Sequence, residues 1–223
     1  MINNLKSKYI HWGPMSTLSL RNRRKSPAER AAEIALAASQ IALTEGLAAV
    51  TVRAVAARVG VTPALIAHYQ PSMNVLVAGT FGAIVAAEID EVAAELAECP
   101  TSVQALGALI DTLLGPERNA VTAIWLDAWS LGRRNPALAA EVGRQMDAWQ
   151  SFLVARLHEG RARGEFVVND APAVAWQLLG IIDGLTAHAT VRYGDARTQR
   201  PLVRTIVEHE LALSEGALAP SER

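Results

Sequence analysis

The chain has 223 residues and a net charge of −1, and 51% of its residues are hydrophobic. This length suits one large domain, or a small domain beside a larger one. Alanine is abundant and alternating β-branched runs are nearly absent, so the composition favours an all-α fold. Cys99 is the single cysteine, which excludes an intrachain disulfide and a cysteine-based metal cluster and suits a reducing cytoplasm.

The charge is unevenly distributed along the chain. Residues 1–70 contain nine Lys or Arg and three Glu, a net charge of +6, and the remainder has a net charge of −7. A polyanion such as double-stranded DNA is therefore the expected partner of the N-terminal part. The chain has no run of ~20 uncharged apolar residues and no apolar signal-peptide core. We therefore expect no membrane span, no membrane partner and a cytoplasmic location.

Residues 1–26 carry six basic and no acidic side chains, and Gly13-Pro14 interrupts any helix. This composition predicts a disordered basic arm. One interpretation is an arm that follows phosphates or enters the minor groove, with Arg23, Arg24 and Lys25 the best-placed contacts. The alternative is a solvated tail, or a start site that is really Met15.

The first predicted helix begins at Ser26-Pro27-Ala28-Glu29, which has the composition of a capping box. Its apolar stripe includes Ile34 and Ile41, and Gly46 ends it. Two short helices follow between Thr51 and Tyr69. Thr51 and Thr62 are suited to cap them, Pro63 occupies the first position of the second helix, and Gly60 forms the corner between them. This is the outline of a helix-turn-helix, whose second helix enters the DNA major groove.

Beyond this motif the pattern is helix after helix, which predicts a larger helical domain. Ser72 is suited to cap a long helix from Met73 to about Glu98. Further helices are expected over residues 101–114, 117–134, 137–163, 171–193 and 198–214, with a frayed tail at 217–223. We place the domain boundary near residue 74. The predicted domains are 1–26 (basic arm), 27–74 (helix-turn-helix) and 75–217 (helical effector-binding and dimerisation domain).

The segment from Gly46 to Leu76, GLAAVTVRAVAARVGVTPALIAHYQPSMNVL, resembles the DNA-binding module of the TetR family of transcriptional repressors. Thr-Pro at the start of the second short helix and His-Tyr at its end resemble the choline- and betaine-responsive (BetI-like) branch. Similar landmarks of that branch follow at 125–129 (WLDAW), 133–138 (RRNPAL), 164–166 (GEF) and 183–185 (DGL). The resemblance covers roughly residues 27–215.

The resemblance implies a homodimer of all-α subunits that represses transcription. The N-terminal three-helix domains would read a palindromic operator. The C-terminal domains would bind a small organic effector and pair through the last two long helices. Ligand binding would pivot the linking helix and release the operator. The family usually has a phosphate-binding Lys where this chain has Met73, so one phosphate contact is missing.

The helix-turn-helix supplies the candidate DNA contacts. Arg53 would reach a base edge or a phosphate, or else stay solvated. Tyr69 would donate to a phosphate, or else pack as a half-buried core residue. The small residues of the second helix suit a thymine methyl group. The full candidate set is Arg23, Arg24, Lys25, Thr51, Arg53, Thr62, Pro63, Ala64, Ala67, His68 and Tyr69.

Aromatic and acidic residues in the C-terminal part suggest a pocket for an organic effector, with an organic cation as one candidate class. The alternative is that the aromatic residues form an ordinary helix-bundle core. Asp127 and Asp183 stand in apolar segments, and a buried carboxylate needs a partner from the protein or from a ligand. The candidate pocket residues are Trp125, Asp127, Trp129, Met146, Trp149, Trp176, Asp183 and His188.

Gly180 and Gly184 place small residues on one helix face, which favours close packing at a dimer interface. The other candidate interface residues are Leu202, Ile206 and Leu213. The chain lacks the common catalytic motifs, so no enzyme activity, metal or cofactor is predicted. The alternative hypothesis is a helical small-molecule-binding protein or enzyme with a vestigial helix-turn-helix. Gln70 and Met73, which depart from the family pattern, are the reason to consider it.

Overall fold

The computed structural model describes residues 25–219, without the side chains of residues 196 and 197. Arg23, Arg24 and most of the predicted arm lie outside the described residues. Within them the chain forms nine α-helices, three short 3₁₀ helices and no strand, so the predicted all-α fold is confirmed. The helices are α1 (Pro27–Glu45), α2 (Val52–Val59), α3 (Pro63–Tyr69), α4 (Met73–Ala97), α5 (Ser102–Leu113), α6 (Asn119–Gly132), α7 (Pro136–Ala162), α8 (Ala171–Thr190) and α9 (Arg200–Glu210).

The first three helices form a small bundle whose ends are fixed by local hydrogen bonds. The hydroxyl of Ser26 accepts from the backbone N–H of Glu29, and the Glu29 carboxylate accepts from the Ser26 backbone N–H, which completes the predicted capping box. Ile34, Val55 and Ile66, one from each helix, are fully buried together. This core fixes the angle between α2 and α3.

α4 continues from this small bundle into a larger one. It packs against α1 near its beginning and lies along α7 for much of its length. Gly82 leaves space for the side chain of Glu141 on α7, which a Cβ at this position would contact. α5, α6 and α8 pack against α7, and α9 packs against α5 and α8 to complete the larger bundle. The long helix thus joins the part with the helix-turn-helix to the part with most of the core.

The last two helices are shorter than the sequence predicts. α8 ends at Thr190 because Arg192 has a φ of 61°, and the N–H of Tyr193 turns back to the carbonyl of His188. α9 ends at Glu210, and Ala212 has a φ of 51°. Arg192 and Ala212 adopt the left-handed conformation although neither is a glycine, so the sequence gives no glycine signal at these two positions. Leu213, predicted to be helical, lies beyond α9.

The chain after α9 packs back onto the bundle. The buried carboxylate of Glu208 accepts from the backbone N–H of Gly216 at 3.2 Å and from that of Leu218 at 2.9 Å. Leu218 is 1% exposed, and its carbonyl lies against Gly107 of α5. The expectation of a frayed tail is therefore wrong for residues 217–219, because Glu208 satisfies backbone groups that would otherwise need water.

Within residues 25–219 no single helix is both long and apolar enough to cross a membrane. α3 and α4 meet the length and composition requirement only as a pair, and that pair is bent by 75°.

Candidate ligand cavity and nucleic-acid interface

A cavity of about 770 Å³, part of it open to solvent, lies between α4, α6, α7 and α8. Four tryptophans stand among its lining residues. Trp125 and Trp129 come from α6, Trp149 from α7 and Trp176 from α8. Apolar side chains from α5 to α8 fill the gaps between the rings. The helical spacing that buries one face of each helix thus directs four indole rings into one space.

The rings are held at different depths. Trp125 packs edge-on against the fully buried Phe81, with ring centroids 4.9 Å apart. The rings of Trp125 and Trp129 are tilted by 43° at a centroid distance of 5.7 Å. Trp149 is 5% exposed, whereas Trp176 is 57% exposed and stands at the opening. The cavity therefore has packed aromatic rings on its inner side and one accessible ring at its rim.

Glu88 of α4 supplies a buried carboxyl group to the cavity. It is 6% exposed. Burial raises the pKa of Glu88 to about 7, although Arg118 and the side chains of Trp125 and Trp149 favour its ionised form. The group therefore changes its charge close to neutral pH. Sequence reasoning missed Glu88, and the signal was its position three residues after Val85 and four before Val92, both fully buried.

Asp183 of α8 is the second carboxyl group of the cavity. Burial raises the pKa of Asp183 to about 6. No hydrogen bond or ion pair to its carboxylate is present among the residues that the structure describes. A carboxylate in a partly dry wall gains from a cationic partner, which a ligand can supply.

Arg118 is the basic side chain of the cavity wall. Its guanidinium lies 3.3 Å from the carboxylate of Glu91 and 4.0 Å from that of Glu88. It ends the 3₁₀ helix Pro116–Arg118 before α6 and is only 13% exposed. Its charge is therefore shared with two acids, and Asp183 remains available to a ligand.

The chemistry of this arrangement favours an organic cation. Indole faces attract ammonium groups, and the attraction increases when water is excluded. The two carboxyl groups add charge complementarity once they are ionised. An anionic ligand would meet one basic side chain in the wall, Arg118, whose charge is already paired with Glu88 and Glu91. A neutral ligand would leave the ionised Asp183 carboxylate without a partner.

Six of the eight predicted pocket residues line this cavity: Trp125, Trp129, Met146, Trp149, Trp176 and Asp183. Asp127 does not, and its assignment is corrected. Its carboxylate lies on another face of α6 and accepts from the backbone N–H of Leu47 at 2.8 Å. His188 is also outside the cavity, exposed near the end of α8 with its ring 5.5 Å from that of Tyr193.

The helix-turn-helix has the caps predicted from its sequence. The hydroxyl of Thr51 accepts from Ala54 N–H at 3.2 Å, and that of Thr62 accepts from Leu65 N–H at 3.3 Å. Gly60 ends α2 with a φ of 74°. Since each threonine uses its oxygen as an acceptor, its hydroxyl proton remains free for a phosphate.

The predicted contact face of α3 is open. Thr62, Pro63, Ala64, Ala67 and His68 are exposed, and Tyr69 is half-buried with its ring against that of His68. No side chain in this face forms an ion pair among the described residues. The face thus presents small groups, an imidazole and a phenol.

Lys25, Arg53 and Arg58, three basic side chains of the described N-terminal part, differ in their partners. Arg53 of α2 is exposed and has no ion pair within residues 25–219. Arg58, on the same helix, lies 3.2 Å from the carboxylate of Glu45. Lys25 lies 2.5 Å from that of Glu33, whose pKa it lowers. Arg53 is therefore the cation of this group that is free to meet a polyanion.

The predicted dimer face is exposed in the single chain. A Cβ built at Gly180 or Gly184 would meet nothing within 4 Å. Leu202 of α9 is 56% exposed, while Ile206 and Leu213 are half-buried. α8 and α9 thus present small and apolar groups to the outside of the subunit.

Two family models match the chain. Residues 34–79 match the model of bacterial regulatory proteins of the tetR family, and residues 102–212 match the C-terminal model of BetI-type transcriptional repressors. Together the two matches cover well over half of the chain and include the helix-turn-helix and three of the cavity helices, α6, α7 and α8. No curated protein sequence matches the chain.

Solved structures with the same fold support this assignment. A protein from Saccharomonospora viridis, solved in complex with choline, has a TM-score of 0.71 and 23% identity, covering 82% of this chain and 98% of that one. A TetR transcription regulator from Haloarcula marismortui has a TM-score of 0.71 and 22% identity, covering 82% and 99%. The fatty acid degradation regulator FadR from Bacillus halodurans has a TM-score of 0.64 and 17% identity, covering 83% and 96%. At these identities the likeness concerns the fold. Taken with the two family models, it means that the chain belongs to the TetR family, as a ligand-responsive, DNA-binding transcriptional regulator.

Proposed function

We propose that the chain is a homodimeric repressor that leaves a palindromic operator when a small organic cation enters the tryptophan-lined cavity. The observation that carries this proposal is the combination of four indole rings with two carboxyl groups, Glu88 and Asp183, in one cavity. The proposal assigns no catalytic step to the chain. A quaternary ammonium ion such as choline fits the chemistry, because its methyl groups pack on aromatic faces while its charge faces the carboxylates.

The carboxyl groups favour a cation over a neutral molecule of the same shape. The raised pKa values of Glu88 and Asp183 show that burial disfavours their ionised forms. A bound cation would offset this cost by an attraction that the buried wall of the cavity screens less than bulk water does. The structure from Saccharomonospora viridis holds choline in a protein of the same fold, which supports testing this ligand first.

For DNA binding we propose that Arg53 and α3 enter the major groove. Thr51 and Thr62, at the starts of α2 and α3, would donate their hydroxyl protons to phosphates, and His68 and Tyr69 would contact the backbone at the other end of α3. Pro63, Ala64 and Ala67 would contact thymine methyl groups. Lys25, Arg23 and Arg24 would add phosphate contacts beside α1.

For assembly we propose that α8 and α9 pair with the same helices of a second chain. Gly180 and Gly184 would allow close approach of the two copies of α8, and Leu202, Ile206 and Leu213 would contribute apolar area. Such an arrangement places Trp176, on α8, near the subunit boundary. The second chain would therefore narrow the opening of the cavity.

Calorimetric titration tests the proposed effector class. Choline is compared with its carbon isostere, in which a tert-butyl group replaces the trimethylammonium group. Choline is expected to bind and the isostere to bind at least about tenfold more weakly, because the two molecules differ mainly in charge. Equal affinities, or no binding of choline, would overturn the proposal. Glu88→Gln should weaken choline binding, whereas Asp147→Asn, which removes an exposed carboxylate of α7, should not.

A further inference from the structure

α6 contacts both the cavity and the DNA-binding bundle. Trp125 and Trp129 line the cavity, and Asp127 lies two residues from each of them. Because an α-helix has about 3.6 residues per turn, Asp127 is directed roughly 200° away from either indole. On that side α6 packs against α1 and the 3₁₀ helix Leu47–Ala49. One rigid helix therefore carries ligand-facing groups on one side and an interdomain contact on the other.

The interdomain contact is a specific hydrogen bond. Oδ2 of Asp127 accepts from the backbone N–H of Leu47 at 2.8 Å, across 80 positions of sequence. Leu47 begins its 3₁₀ helix, and the preceding residue, Gly46, has no side chain to cap it. Asp127 therefore provides from α6 the acceptor that a local capping residue would otherwise provide.

Gly46 makes room for this contact. It has a φ of 90°, and a Cβ at this position would lie 2.8 Å from Oδ2 of Asp127. Any larger residue would displace the carboxylate as well as strain the backbone. Gly46, at the end of α1, thus leaves the space that the Asp127 carboxylate of α6 occupies.

A displacement at Leu47 would act on the helix-turn-helix. The side chain of Leu47 is 1% exposed and belongs to the core of the small bundle. Thr51, four residues later, caps α2. A movement of the Leu47 backbone therefore shifts the start of α2, and α3 follows because Val55 and Ile66 share the same packed core.

We propose that Asp127 is a positioning residue that transmits occupation of the cavity to the DNA-binding helices. The inference rests on the proposed function, since it takes the cavity as the effector site. When a ligand displaces Trp125 or Trp129, α6 moves as a unit and carries the Asp127 carboxylate with it. The bond to Leu47 then holds the small bundle in a different orientation from that of the empty protein, and operator affinity changes.

The first test measures coupling with the full-length protein. Operator affinity is determined by fluorescence anisotropy with and without saturating choline, on a duplex selected from random sequences by the wild-type chain. For the wild type we expect choline to weaken binding by about tenfold or more. For Asp127→Ala we expect choline to weaken operator binding by less than about threefold, while the affinity for choline measured by calorimetry stays within about twofold of wild type. Asp147→Asn serves as the control and should behave as wild type.

Two results would overturn the inference. One is an Asp127→Ala protein that is released by choline as efficiently as wild type. The other is an equal loss of choline affinity, which would make Asp127 a support of the cavity. Asp127→Asn keeps a neutral acceptor oxygen in the same place and should lose less of the coupling than Asp127→Ala. The opposite order would also contradict the proposed hydrogen bond.

A second test needs no ligand and separates this inference from the proposed function. Trp129→Ala changes the cavity side of α6 and is expected to alter operator affinity in an otherwise wild-type chain. In the Asp127→Ala background the same change should have little effect, so that the double-mutant cycle is non-additive. Additive effects, or no effect of Trp129→Ala, would overturn the role of Asp127. If wild type fails to bind choline, the proposed effector class fails and this cycle still decides the coupling.

Discussion

Two carboxyl groups determine how the cavity responds to pH. The pKa values of Glu88 and Asp183 are raised to about 7 and about 6, so both groups are partly protonated near neutrality. A cation binds more tightly to the ionised forms. We therefore expect the choline association constant, measured by calorimetry, to rise from about pH 5.5 to about pH 8 and then level off.

The same shifts fix the sign of a stability effect. When folding raises the pKa of a carboxyl group, the contribution of that group to the free energy of unfolding is fully present below the pKa of the unfolded state. For Glu88 this contribution is lost as pH rises through about 7. Bound choline offsets the loss, so its stabilisation against heating should be greater at about pH 8 than at about pH 6. In Glu88→Gln this pH dependence should decrease. A pH-independent response in wild type would contradict the role of both carboxyl groups.

Arg53 and Arg58 provide a matched pair on α2. Arg53→Ala is expected to weaken specific operator binding by ~1–3 kcal/mol, as for loss of a bidentate base contact, and to leave the oligomeric state unchanged. Arg58→Ala removes the same charge from a side chain that pairs with Glu45, and it should reduce the free energy of operator binding by less than Arg53→Ala does. Anisotropy titration at a fixed salt concentration measures both. Equal losses would mean that the two residues contribute only general electrostatic attraction.

The residues that could be predicted from the sequence are those with local partners. Thr51, Thr62 and Gly60 act on groups within a few positions, so their roles follow from spacing alone. Glu88 escaped prediction because the structure pairs it with Arg118 and the indoles of other helices. Asp127 was assigned to the pocket because it stands between two tryptophans in sequence. Helical geometry directs it to another face, where its partner is a backbone N–H far along the chain.

At the scale of the element, the glycines of helix corners and helix interiors should respond oppositely to substitution. Gly60 has a φ of 74° at the corner of the helix-turn-helix, so Gly60→Ala is expected to destabilise the fold by ~1 kcal/mol. Gly143 lies within α7, where an added Cβ meets nothing within 4 Å, so Gly143→Ala should stabilise by ~0.5–1 kcal/mol. Urea unfolding measures both. Changes of the same sign would contradict this account of the corner.

The ends of elements were the least predictable part of the fold. The ends of α1 and α2 coincide with Gly46 and Gly60, whereas α8 and α9 end before Arg192 and Ala212, which adopt positive φ without glycine. α8 ends in an exposed turn closed by local hydrogen bonds, whereas buried contacts from distant positions hold the segment after α9. The segment after α9 turns back because Glu208 binds its backbone and Leu218 enters the core. Such nonlocal contacts leave no periodic signal in the sequence.

At the scale of the whole molecule, the proposed dimer can be broken without disturbing the subunit. A side chain at Gly184 meets nothing within 4 Å in the single chain, so Gly184→Leu should preserve the fold and block the approach of a second α8. Sedimentation should show a dimer for wild type and a monomer for the variant, with a large loss of operator affinity. Gly143→Leu, the same change on α7, should remain dimeric. A dimeric Gly184→Leu protein would place the interface elsewhere.

α6 lines the cavity on one side and packs against α1 and the 3₁₀ helix Leu47–Ala49 on the other. The central claim is that a cation in the cavity releases DNA. The most direct measurement is a titration of the operator-bound wild-type protein with choline and, separately, with its carbon isostere at about pH 8, where both carboxyl groups are mainly ionised. The account predicts release by choline and retention of the complex with the isostere. Equal release by both compounds, or a complex that persists at choline concentrations that saturate the free protein, would contradict it.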